Sequence, residues 1–120
     1  MKAALFNEHG SPDVLKYEET DDPIVSNNEV LVRVKACSIN HLDIWIRRGR
    51  TGYSGLQFPH ILGCDISGTI EDSNGAIDIN NGDEVIVSPG IGCGTCNYCL
   101  QGNDNFCKKF SIIGGWDRKG

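Results

Sequence analysis

The chain has 120 residues and a mass of 13.1 kDa, enough for one domain with one real core. Hydrophobic residues make up 39% and charged residues 22%, and the longest apolar run is the four residues Ala3 to Phe6, which excludes a coiled coil and a membrane-spanning helix. A net charge of −5 with no basic stripe excludes the long-range attraction that nucleic acid and anionic lipid partners require.

Fifteen glycines against four prolines predict a β-rich chain with many tight turns. Met1–Asn7 reads as a strand, and Leu15–Glu19 as a second strand paired with it across Gly10-Ser11-Pro12. Glu29–Ile39 alternates, with Val30, Val32 and Val34 on one side and Leu31, Arg33 and Lys35 on the other. His41–Arg48 is the single predicted helix. Leu42, Trp45 and Ile46 share a face, Asn40 is the N-cap, Asp43 is the N3 acid, and Gly49 follows the last turn. Ile61–Glu71 reads as one strand with bends or bulges at Gly63 and Gly68, and Asn80–Asp83 as a turn into the strand Glu84–Ser88. Short strands at this spacing suggest a barrel or sandwich.

Six cysteines are the first chemical anomaly, and four of them crowd together as Cys93, Cys96, Cys99 and Cys107. No secretory signal precedes them, so the expected compartment is reducing and cytoplasmic, where crowded thiols signal metal more often than disulfides. Spacings of two, two and seven residues, with Gly92, Gly94 and Gly102 among them, suit a tetrahedral zinc ion. An iron–sulfur cluster is the metal competitor, but its last spacing differs and no proline follows Cys107. Unligated thiols or a disulfide pair form the third reading. Four thiolates leave no open coordination position, so the expected zinc, one per chain, is structural.

Three segments together resemble one family. The lobe from Gly92 to Gly102 with Cys107, the turn and strand start Gly82-Asp83-Glu84-Val85, and the segments Asn40–Asp43, Arg47–Gly49 and Pro59–Gly68 resemble the zinc-containing alcohol dehydrogenases and quinone oxidoreductases of the medium-chain dehydrogenase/reductase superfamily. The resemblance implies a mainly β, GroES-like fold over residues 1–120: a distorted antiparallel β-barrel with one short helix and a structural zinc lobe. It implies that a Rossmann domain binding NAD or NADP follows in the complete enzyme. No G-x-G-x-x-G occurs in these 120 residues, so the expectation is a piece of a longer protein, inactive by itself.

The departures from that family bear on mechanism. Where its zinc alcohol dehydrogenases begin a C-x-x-D motif, this chain has Asn40, and their G-H-E becomes Gly63-Cys64-Asp65. The N-x-x-D pattern resembles the zinc-independent quinone oxidoreductase branch. Asn40 and Asp43 are therefore the candidate catalytic residues, Asn40 as a hydrogen-bond donor to substrate and Asp43 as a group that orients a ligand. Helix capping is the competing role of both. His41, at the start of the predicted helix, is the candidate cofactor contact, with plain exposure as its alternative. A rewired second zinc site from Cys64, Asp65 and His41 is the rival to an empty catalytic position. Trp45 and Cys37 are expected in the core, and His60 as a strand start with no chemistry.

The expected function is the substrate-side domain of an oxidoreductase that transfers hydride between a nicotinamide and a small-molecule carbonyl, alcohol, enone or quinone, with homo-oligomer formation left open. The rival is a stand-alone zinc-stabilised β-barrel for protein association.

Overall fold

The structure is a computed structural model that describes residues 1–50 and 55–115. Eight strands and two helices follow in the order β1 (Lys2–Phe6), β2 (Lys16–Glu19), β3 (Leu31–Ser38), α1 (His41–Arg47), β4 (His60–Ile61), β5 (Asp65–Asp72), β6 (Glu84–Val87), β7 (Gly90–Ile91), α2 (Asn97–Leu100) and β8 (Ser111–Ile112). Short 3-10 turns cover Pro12–Val14 and Asp104–Phe106.

Every strand pairing is antiparallel, as expected. The strands form three small sheets, β2-β1-β4, β3-β5-β6 and β7-β8, and the described residues close no barrel. β1 pairs with β2 from Lys2 opposite Glu19 to Leu5 opposite Lys16. The stretch expected as one strand from Ile61 divides at Leu62–Cys64: β4 continues the first sheet, and β5 crosses to the second. The bulge expected at Gly68 lies on the partner strand instead: the extra residue is Lys35 of β3, opposite Gly68. The β3–β5 register slips between Val34 and Ala36, opposite Gly68 and Ser67. A Cβ on Gly68 would stand 2.2 Å from the Arg33 carbonyl oxygen, so only glycine permits this approach of the two backbones.

The core lies under the first sheet. Ala3, Leu5 and Phe6 of β1 are buried with Ile46 of α1, and His60 of β4 packs edge-on against the Phe6 ring at 5.6 Å. Phe6 and Ile46, completely removed from water, contribute about 1.5–3 kcal/mol each. Arg47, in the last turn of α1, is buried. Its guanidinium donates to the Gly10 carbonyl while the Gly10 N–H donates to the Arg47 carbonyl at 3.0 Å, which ties α1 to the loop after β1.

The second sheet is different. The alternation of β3 predicted one covered face, yet from Arg33 to Ser38 the strand is exposed on both sides, with Val34 at 55%. Cys37, expected inside, is exposed for the same reason. Trp45 is also corrected: it stands 49% exposed, its ring 4.9 Å from His41 along the surface of α1. The accessible area of 8378 Å² exceeds the ~6,400 Å² expected of a compact monomer of this mass, and the radius of gyration of 15.1 Å exceeds the expected ~13.6 Å. Pattern and coverage thus disagree because alternation encodes a face to be buried, whereas the described residues do not cover it.

Candidate functional site

The cysteine lobe stands on the β7–β8 ribbon, where Gly90 pairs with Ile112 and Ile91 with Ser111. Sequence reading missed this ribbon, because two-residue strands carry no periodicity. From its end the chain turns through Cys93 and enters α2, whose N-cap is Cys96 and which carries Cys99. The 3-10 turn Asp104–Phe106 then delivers Cys107, whose N–H donates to the Asp104 carbonyl at 2.8 Å. A Cβ on Gly92 would lie 2.7 Å from the Cys99 sulfur, so this glycine is the space through which Cys99 reaches the cluster.

The four sulfurs all lie within 4.8 Å of one another. Cys96 and Cys99 are 3.6 Å apart, and Cys93 and Cys99 4.0 Å. A tetrahedron of thiolates around zinc at about 2.3 Å has edges of about 3.8 Å, so the cluster closes on one ion with sulfur–sulfur distances changing by about 1 Å at most. It is too tight to enclose a cluster of several irons and sulfides, and no cysteine is in a disulfide. Backbone N–H groups of Cys93 and Lys109 donate to the Cys107 sulfur at 3.4 and 3.3 Å. The Thr95 hydroxyl beside Cys93, with further help from backbone N–H groups, draws that thiol down to about 5. Without a cation in place, desolvation pushes Cys99 up to about 11. One thiol is thus ready as thiolate, and another must lose its proton to solvent as a metal binds.

The cleft residues gather where β3 ends and β5 begins. Asn40 caps α1: its Oδ1 accepts from the Leu42 N–H at 3.0 Å, and the Asn40 N–H donates to Asp43 Oδ2 at 2.8 Å, the predicted capping box. The other end of the same amide is also engaged, because Nδ2 donates to Asp65 Oδ2 at 3.2 Å. Ser38 Oγ donates to that same oxygen at 3.1 Å. Sequence reading missed Ser38 and the Asp65 link; their signal is the cross-strand register that places Ser38 opposite Asp65. Asp43 Oδ1 is buried with no hydrogen-bond partner among the described residues. Cys64 is buried at 4% exposure, and its thiol pKa is raised, first by that burial and then by the charges of Asp65 and Asp43. His41 is exposed at the first position of α1. Beside this group, Cys37, Ser38, Asp65, Ile66, Ile86 and Val87 line an open concavity of about 300 Å³.

The structure therefore brings Asn40, Asp43, Cys64 and Asp65 to one place and the four lobe cysteines to another. Among the described residues, only the lobe cysteines form a group of three or more His, Cys, Asp or Glu ligand atoms close enough for one ion.

The NAD-dependent alcohol dehydrogenase of Sulfolobus acidocaldarius is 34% identical over 119 residues, which cover 95% of this chain and 34% of that protein. A crystal structure of an NAD-dependent alcohol dehydrogenase superposes with a TM-score of 0.93 at 40% identity, over 100% of this chain and 35% of its own. The cobalt- and zinc-bound thermostable alcohol dehydrogenase from Pyrobaculum aerophilum gives 0.88 at 34% identity, over 100% and 36%. The chain spans about a third of the length of these relatives. The alcohol dehydrogenase GroES-like domain family matches residues 26–119, and the chain belongs to that family.

Proposed function

We propose that the chain is the substrate-side domain of a zinc-binding, NAD- or NADP-dependent oxidoreductase whose nicotinamide-binding domain lies in a longer protein. The observation that carries this reading is the tetrahedral spacing of Cys93, Cys96, Cys99 and Cys107 in a chain of this family. Zinc bound there supplies structural cross-linking, with no open position for substrate. NAD dependence is the property named for the Sulfolobus relative. The family membership weighs against a stand-alone protein-interaction module. A reducing, cytoplasmic setting belongs to this reading because four cysteines at metal-ligand spacing need their thiols reduced, and no helix among the described residues is long and apolar enough to cross a membrane.

At the cleft the residues do not fit a catalytic zinc. Asn40 offers a neutral amide whose oxygen already caps α1, and among the described residues Cys64, Asp65 and His41 do not bring three ligand atoms close enough for one ion. The reaction is then hydride transfer to an activated carbonyl, an enone or a quinone. The chain's contribution is to orient the acceptor and to donate a hydrogen bond to its oxygen from Asn40. Asp43 holds the Asn40 backbone, and His41, exposed at the start of α1, is the candidate cofactor contact. A protein carrying this chain with its nicotinamide-binding domain is expected to contain one zinc per chain and to oxidise NADH or NADPH with quinones or enones faster than it oxidises simple alcohols. Two zincs per chain, with one lost together with activity in Cys64→Ser, would overturn this mechanism.

A further inference from the structure

We propose that Asp65 is a positioning residue that sets the orientation of the Asn40 amide in the cleft. The geometry fixes that amide from both ends. Its oxygen must face the Leu42 N–H, which can only donate, and its nitrogen must face the Asp65 carboxylate, which can only accept. A flipped amide would set donor against donor and acceptor against acceptor. Asp65 is in turn held by the fold: it begins β5 directly opposite Ser38 at the end of β3, and the Ser38 hydroxyl donates to the oxygen that Asn40 uses. Asn40 follows Ser38 by two residues, so a cross-strand pair, a helix cap and the candidate donor form one connected chain. One Nδ2 proton goes to Asp65, and the second is the one an acceptor oxygen in the cleft can take. Ser38 and Asp65 also line the open concavity, which places the network at its edge.

The catalytic consequence rests on the functional reading above, whereas the orientation itself does not. Two experiments separate them. In the isotopically labelled, zinc-loaded chain, NMR follows the Asn40 side-chain protons in Asp65→Ala, which has no acceptor, and in Asp65→Asn, which keeps an acceptor oxygen of the same shape. The proton aimed at position 65 is expected to move upfield in both variants, further in Asp65→Ala, while the Leu42 N–H stays in place. Where Asp65→Ala does not fold, Ser38→Ala is expected to shift the same proton. Asn40 side-chain protons that stay unmoved in every folded variant would overturn the proposal. In the protein that includes the nicotinamide-binding domain, kcat for the acceptor is expected to fall about tenfold to a hundredfold in Asp65→Ala with KM for the cofactor unchanged, and to recover largely in Asp65→Asn. A loss carried by cofactor KM, or no recovery in Asp65→Asn, would also overturn it. A parent protein without hydride-transfer activity would sink the functional reading and leave the NMR result to decide the orientation.

Discussion

Cys96 and Cys99 hold their sulfurs 3.6 Å apart across the first turn of α2, within reach of the ~3.8 Å edge of a tetrahedral zinc–thiolate centre. A four-residue helix and a two-residue ribbon have little packing of their own, whereas structural zinc in small lobes contributes on the order of 10–16 kcal/mol of apparent binding free energy. Cys96→Ser is expected to lose the metal and to disorder residues 90–110, with the β1–β2–β4 sheet intact. Elemental analysis and amide exchange check this; a zinc-loaded, ordered lobe in the variant would contradict it.

The cap of α1 predicts a split between two residues that are ordinarily equal there. Ser and Asp are both good N-caps in general. At position 40 an aspartate would set a second carboxylate against Asp65, the present partner of Asn40 Nδ2. Asn40→Ser is expected to cost no more than about 1 kcal/mol, and Asn40→Asp more than Asn40→Ser. The excess cost is expected to shrink as pH falls into the carboxylate range, where one of the two acids takes up a proton. Denaturation midpoints at neutral and acid pH read the difference directly.

Gly68 allows no other residue. Its missing Cβ leaves room for the Arg33 carbonyl, a backbone atom that cannot swing aside. Gly68→Ala is expected to destabilise by about 1–3 kcal/mol and to perturb the β3–β5 register around Val34. Urea denaturation with amide exchange along β3 tests it; a variant as stable as the parent would mean that the two strands part easily.

The two cysteines outside the lobe are predicted to react very differently. Cys37 is exposed on β3, whereas Cys64 is buried with a raised pKa. In the folded zinc-loaded chain, iodoacetamide at neutral pH is expected to modify Cys37 and leave Cys64 untouched. The sign for stability follows from the same shift. The folded chain keeps the Cys64 proton where an unfolded chain has released it. This contribution is complete below the ordinary thiol value of about 8.5 and is lost as pH rises through the higher folded value. Cys64→Ala is expected to remove that part of the alkaline sensitivity, measured by denaturation above neutral pH.

What was legible in the residues by themselves was local or depended on spacing. The zinc lobe follows from four cysteines at ligand spacing, and α1 follows from Asn40, Asp43 and the Leu42–Ile46 face, because a cap and its helix lie within one turn of each other. The β1–β2 pairing was legible for the same reason, because the two strands flank one short loop, whereas the bulge expected at Gly68 falls on β3 at Lys35. Tertiary structure decided the rest. Alternation in β3 marks a face as apolar but does not say whether anything covers it, and here Val34 and Cys37 remain exposed. Trp45 follows the helical pattern yet lies on the surface against His41. The link between Asn40 and Asp65, 25 residues apart, exists only because β3 and β5 pair in the register that sets Ser38 opposite Asp65. A register is chosen by the whole sheet, so no short stretch of sequence contains it.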